Sequence, residues 1–202
     1  YGTIVNGQAL CEGYARAFKL LCKYAGIECI LVTGDSKGVG HMWNMVNIED
    51  NWYHVDVTWD DLREKPLHTY LNVTEFYIRA DHDIDITYSN ADSSLIANGN
   101  SYNFSLPEAK SDELNFYKKR GLILSDNPVE TFANALIKSY KNGETYAELL
   151  FENSDCQKDF KENYETYVVE IQKKCIEKQG KMKFKLQTIS FPSNTCVIYV
   201  TS

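Results

Sequence analysis

Three side chains in the first third of this 202-residue sequence could perform nucleophilic chemistry together: Cys11, His41 and Asp56. A thiol attacks as its thiolate, so it needs a base. The base in turn needs a group that fixes its tautomer and stabilises its cation. Cys11 opens a stretch in which Tyr14, Ala15, Phe18, Leu21, Cys22 and Ala25 recur at three and four. That spacing predicts a helix over 11–25, ended by Gly26 as a left-handed cap. A helix N-terminus carries unpaired N–H groups and a partial positive charge, and both favour a thiolate.

The base and the acid must then be positioned by strands. Ile27 to Thr33 reads as a buried strand, and the glycine-bearing stretch Gly34 to Gly40 as a surface loop. No Lys-Ser/Thr pair closes that loop, so it is no phosphate loop. His41 to Ile48 and Trp52 to Trp59 suit two strands joined at Glu49-Asp50-Asn51. Register decides the chemistry. A two-residue turn at Glu49-Asp50 sets Ile48 opposite Asn51 and Asp56 opposite Trp43. Asp56 then lies diagonal to His41 on one face, with Cβ atoms roughly 7–8 Å apart. A three-residue turn puts them on opposite faces. The sequence prefers neither turn strongly, so function requires the first. Asp56 sits between Val55 and Val57 on this strand. Asp is depleted in strands, and a buried carboxylate is costly unless paired, so it asks for a partner such as an imidazolium.

Taken together, Cys11-Glu12-Gly13-Tyr14-Ala15, His41-Met42-Trp43-Asn44 and Trp52 through Asp60 resemble the three sequence blocks of the bacterial transglutaminase-like superfamily, a branch of the papain-like cysteine fold. The resemblance covers roughly residues 5–80. It implies an α+β core with the nucleophile helix packed on an antiparallel sheet. It also implies Cys11 as nucleophile, His41 as general base and acid, and Asp56 as the orienting carboxylate. The implied reaction is attack on a peptide or protein amide to give a thioester, resolved by water or by an amine. Such chemistry needs an oxyanion hole. The backbone N–H of Cys11 is the natural first donor, and Gln8 is a candidate for the second, because papain-like enzymes often use a Gln upstream of the cysteine. Trp43, Asn44 and Trp59 are candidates for the wall of the acyl site, with aromatic core packing the competing reading for Trp59. His54 is the main rival to His41, and His68 has no visible partner. The segment from Leu106-Pro107 to Gly121 loosely resembles one that follows this core in surface proteins of Gram-positive bacteria. An extracytoplasmic setting is the corresponding expectation. The rival function is a non-catalytic surface-binding or scaffolding module that keeps the fold.

Composition narrows the remaining classes. The net charge is −7, which argues against nucleic acid as the main partner, since phosphate binding needs a basic face. No apolar run approaches ~20 residues, so nothing here reads as a membrane-spanning helix. The six cysteines form no C-x-x-C pair, and no metal or other cofactor is expected. All except Cys11 read as small buried hydrophobes. Asp81, Asp83 and Asp85 imitate an EF-hand opening, but Ile86 stands at position six and Asp92 at position twelve. The motif is rejected in favour of a solvated acidic turn with His82 exposed. The absent initiating Met and the abrupt start near Cys11 suggest a piece of a longer protein.

The second half carries regular stripes. Residues 89–103 read as a long loop, Leu114 to Leu124 as a strand or strand pair, and Val129 to Tyr140 as a helix after Pro128. Tyr146 to Phe151 is strand-like. A single long helix is predicted from Cys156 to Cys175, followed by a hairpin from Met182 to Val200. The expected division is a catalytic core over 1–105 and an accessory α/β layer over 106–202, with two helices on a small sheet.

Overall fold

The computed structural model describes residues 7, 9–61, 66–84, 95–97, 100–102, 106–125, 128–180, 185–190 and 195–201. The chain divides into two compact units, Tyr1–Phe116 and Tyr117–Ser202. Residues 106–116, grouped with the second part on sequence, contribute Leu106 and Ala109 to the first unit's core.

The first unit is α+β. Helix α1 (Cys11–Ala25) is amphipathic and buries Ala15 and Cys22. It ends at Gly26, whose φ of 72° lets its N–H reach back to the carbonyls of Cys22 and Lys23. Five antiparallel strands follow: β1 (Glu28–Ser36), β2 (Val39–Ile48), β3 (Asn51–Val55), β4 (Leu71–Val73) and β5 (His82–Ile84). They lie in the order β4-β3-β2-β1-β5. Alternate residues of β2 feed two separate cores. Trp43 and Met45 join Val32, Tyr70, Val73 and Ile78, whereas Val46 joins Cys22, Cys29, Tyr53 and Val55. This is the period-two alternation of a sheet covered on both faces. Trp43 is 1% exposed. Burying a ring of that size contributes roughly 4–6 kcal/mol before entropy is charged.

The hairpin forms with a two-residue turn: Ile48 pairs with Asn51 and Asn44 with Val55. Glu49 and Asp50 have φ of 53° and 60°. Positive φ at both central residues is the geometry whose twist matches the strands. β3 stops at Val55, and Asp56 becomes the N-cap of a single helical turn, α2 (Val57–Asp60). A second turn, α3 (Glu75–Ile78), is capped by Thr74.

The strand expected over 52–59 thus ends at Val55, and two further expectations for this unit change. Gly34 to Gly40 is not a loop throughout, because β1 runs on to Ser36 and β2 begins at Val39. Gly34 lies within the sheet, between His41 on β2 and Ile84 on β5. A Cβ there would stand 2.0 Å from the Asp83 carbonyl oxygen and 2.9 Å from the Trp43 ring. Glycine is what permits β5 to approach. Within the predicted long loop 89–103, Leu95–Ala97 (β6) and Asn100–Tyr102 (β7) pair as a small hairpin.

The second unit has a four-stranded sheet, β10 (Lys185–Ser190), β11 (Thr195–Thr201), β9 (Tyr146–Phe151) and β8 (Ile123–Leu124), in that order. β8 and β9 are parallel, joined through α5 (Pro128–Lys141). The predicted strand over 114–124 is instead a short helix, α4 (Phe116–Arg120), followed by the two residues of β8. The predicted long helix is two, α6 (Ser154–Glu162) and α7 (Tyr164–Gln179). They break at Asn163, whose side chain bonds back to the carbonyl and carboxylate of Asp159 at 3.2 and 2.9 Å. Such local side-chain bonding competes with helix propagation. Phe132, Leu136, Leu149, Phe151, Phe160 and Ile171 build the core.

Candidate functional site

The site is built on the start of β2, the end of β3 and β5. His41 Nε2 lies 2.6 Å from Asp56 Oδ2, with 7% of the His41 side chain and none of the Asp56 side chain exposed. The other carboxylate oxygen, Oδ1, accepts the backbone N–H groups of Thr58 at 3.0 Å and Trp59 at 3.2 Å. The end of β3 therefore turns a strand residue into a helix cap, and the cap aims the carboxylate at His41. Asp56 Oδ2 also receives His82 Nε2 at 3.0 Å. Four donors fill the carboxylate. Burial alone would raise Asp56, but hydrogen bonds from His41 and His82, and attraction to their charges, outweigh it and hold Asp56 below the ordinary range. An ionised carboxylate only accepts, so His41 presents Nε2–H to it and its basic nitrogen is Nδ1.

His82 is the residue that sequence reasoning missed. It is 1% exposed rather than solvated. Its Nδ1 is 2.7 Å from Asp81 Oδ1, and Tyr70 O–H donates to Asp81 Oδ2 at 2.6 Å. Burial alone would lower His82, but the hydrogen bonds and charges of Asp56 and Asp81 raise it to about 9. His41, Trp43, Trp59 and Tyr70 present rings within 5.1–5.7 Å of the His82 ring. The local Asp-His-Asp composition hides a residue that β1 pairing carries into the core.

His54 does not rival His41. It is fully buried, and its Nδ1 accepts the Trp43 indole N–H at 3.0 Å. Burial, with repulsion from Arg79 and His82, drives it down to about 3, so it is neutral and spent on structure. His68 does have a partner, the Phe116 ring stacked at 3.7 Å.

The proposed acyl-site walls divide. Trp43 is buried beneath His41, its ring stacked at 5.9 Å and 19°. Asn44 is wholly buried and donates to the Ala15 carbonyl at 3.1 Å, tying α1 to β2. Both back the site and present no surface to a substrate. Trp59 is half-buried, with its ring edge-to-face with His41 at 6.2 Å and the Lys37 ammonium 4.2 Å from its centroid. Gln8 lies outside the described residues.

Cys11 is the first residue of α1 and is half-buried. Leu10, at the N-cap, supplies no side-chain hydrogen bond to the first-turn N–H groups. One turn on, Tyr14 O–H donates to Asp61 Oδ2 at 2.7 Å. Asp61 is the C-cap of the turn that Asp56 begins. The Cys11 turn and the Asp56 turn are thus fastened together. Cys22, Cys29 and Cys175 are buried, and burial raises each thiol, Cys29 to about 12 and Cys175 to about 11. Such thiols are inert at neutral pH.

His41, Asp56 and His82 bring three potential metal-ligand atoms within 4.8 Å of one another. Both ring Nε2 atoms stand at direct hydrogen-bond distance from Asp56 Oδ2, 2.6 and 3.0 Å. The donor set is that of a hydrogen-bonded relay.

Comparison with known proteins agrees with this architecture. Kyphoscoliosis peptidase of Mus musculus is 41% identical over 61 residues, covering 24% of this chain and 9% of that protein. The Homo sapiens protein of the same name gives the same identity and coverage. Lim and transglutaminase domain protein ltd-1 of Caenorhabditis elegans is 33% identical over 61 residues, covering 24% of this chain and 8% of that protein. The chain thus spans under a tenth of the length of these animal relatives, and none of them bears on the bacterial branch named from the sequence. The helix and antiparallel sheet of the first unit are consistent with an α+β transglutaminase-like fold. Residues 1–57, a span that contains Cys11, His41 and Asp56, match the model of the transglutaminase-like superfamily.

Proposed function

We propose that this chain performs cysteine-dependent acyl transfer on peptide or protein amides. Cys11 attacks the amide carbonyl, and its proton passes to His41 Nδ1. His41 returns that proton to the departing amine as the C–N bond breaks, leaving a thioester on Cys11. Water or a second amine then attacks the thioester, with His41 again taking the proton; the C–S bond breaks, and the proton returns to the Cys11 sulfur as the product leaves. Asp56 holds the His41 tautomer and stabilises its cation. First-turn N–H groups of α1 stabilise the oxyanion.

The observation that carries the reading is the 2.6 Å bond from His41 to a buried, fourfold-bonded Asp56. A strand histidine with only a packing role has no need of a carboxylate kept ionised at such desolvation cost. The superfamily match over 1–57 supports the same assignment, as do the fastening of Tyr14 to Asp61 and the inert state of the buried cysteines. The names of the relatives divide between a peptidase and a transglutaminase domain, and the triad chemistry is common to both.

The test measures peptide cleavage and incorporation of a primary amine into glutamine peptides, side by side. One of the two is expected, and Cys11→Ala abolishes it. Unchanged turnover in Cys11→Ala refutes the assignment. Absence of both activities in the wild-type chain favours the non-catalytic module.

A further inference from the structure

The His82 ring faces two carboxylates, Asp56 Oδ2 at 3.0 Å and Asp81 Oδ1 at 2.7 Å, one from each nitrogen. Ionised carboxylates offer no hydrogen to donate. A neutral imidazole has one N–H and one lone pair, so it would turn a lone pair on one of them. Only the doubly protonated ring satisfies both. The same Asp56 oxygen is bonded to His41 at 2.6 Å. We propose that His82 is a positioning residue for the site: a doubly protonated imidazole that clamps Asp56 and shares the charge of the carboxylate that orients His41. The proposal rests on the functional reading above and deepens it.

His41 and His82 compete for one anion. Asp56 bonded to His41 alone would spend its whole charge stabilising imidazolium there. A second cation on the same oxygen reduces that stabilisation. It also repels a proton arriving on His41, whose ring centroid lies 5.4 Å away. His82 gains its own support from Asp81, and Tyr70 O–H holds that carboxylate in place. Among the described residues, three further charged or titratable groups lie near the cluster. Lys37 sits over Trp59, and neutral His54 lies behind Trp43. Arg79, the C-cap of α3, acts on His54. Gly34 completes the device, because only a residue without Cβ lets β5 bring His82 this close.

The relay implies a direction. Replacing His82 by a neutral residue returns all of Asp56 to His41, and the His41 titration midpoint rises. A role confined to packing would lower reactivity without moving that midpoint.

The experiment is imidazole NMR on the full chain, with ring nitrogens labelled and assigned through His41→Gln and His82→Gln. In the wild type, His82 is expected to carry protons on both nitrogens at pH 7.5, while His41 titrates separately. A neutral His82 at that pH overturns the proposal. In His82→Gln the His41 midpoint is expected to rise, and an unmoved midpoint overturns it as well. Should His82→Gln fail to fold, Asp81→Asn serves instead. It keeps an oxygen acceptor for Nδ1–H but removes one charge, so the His82 midpoint must fall, and an unchanged midpoint again overturns the proposal. These titrations need no thiol chemistry. If Cys11 reactivity proves indifferent to His41, the acyl-transfer reading fails while the charge of His82 is still measured.

Discussion

Asp56→Ala is the perturbation whose cost can be worked most fully from the structure. The substitution removes Oδ1, which accepts from Thr58 and Trp59, and so uncaps α2. A lost cap costs about 1 kcal/mol. It also strips a buried cation of one of its two carboxylates and leaves His41 Nε2–H without an acceptor. Breaking a buried pair costs about 3–5 kcal/mol, and because Asp81 still faces His82 the lower end applies. The sum is about 4 kcal/mol, a large part of the ~5–15 kcal/mol that holds a domain folded. Asp56→Asn keeps a side-chain oxygen for the cap but puts an NH2 group where Oδ2 accepts both imidazoles, so it should cost about 3 kcal/mol, near 1 less than Ala. Urea unfolding followed by tryptophan fluorescence reads both, since Trp43 and Trp59 flank His41. With a urea slope of ~2 kcal/mol/M, the Ala midpoint drops by about 2 M and the Asn midpoint by about 1.5 M. An Ala midpoint lowered by less than ~0.5 M would refute the idea that this carboxylate balances buried charge.

Further outcomes follow from the same geometry. Gly34→Ala should cost about 1–3 kcal/mol or more, because its Cβ would meet the Asp83 carbonyl at 2.0 Å. Amide exchange at β5 should accelerate with it, and unchanged protection of the His82 and Ile84 amides would contradict the account. Stability should also depend on pH from both sides. His82, raised to about 9 when folded, contributes fully below its unfolded value near 6.5, and that stability is lost as pH climbs toward 9, about 3 kcal/mol in all. His54, lowered to about 3, works in the opposite sense, so stability is lost as pH falls from about 6.5 toward 3. The urea midpoint plotted against pH should therefore crest near neutrality. His82→Gln should flatten the alkaline limb alone, and a limb of unchanged slope would argue against a charged His82.

What could be read from sequence was what local pattern dictates. The α1 stripe and its Gly26 cap are visible because helix period and cap chemistry act within a few residues. The hairpin could be narrowed to two registers, and the two-residue turn forms although Glu49 does not favour positive φ. Tertiary pairing overrides local preference there. What stayed hidden depends on distant partners. Gly34 looked like a loop glycine because its neighbour, the Asp83 carbonyl, lies 49 residues on. His82 looked solvated because its flanking aspartates suggest a surface, whereas β1 pairing buries it beside Asp56. Trp43 and Asn44 lie next to His41 in sequence, but strand alternation turns both into the interior. The break at Asn163 was masked because Phe160, Tyr164 and Tyr167 keep helical spacing across it.

The central claim is that Cys11 is a nucleophile served by His41. Its most direct test is the rate of carboxymethylation of each cysteine by iodoacetamide across pH, read by peptide mapping. Cys156, half-buried like Cys11 but in the other unit, is the internal reference. The account predicts that Cys11 is alkylated at pH 6–7 well ahead of Cys156, and that His41→Ala removes the advantage. Equal rates for the two thiols, or a Cys11 rate indifferent to His41, would contradict it.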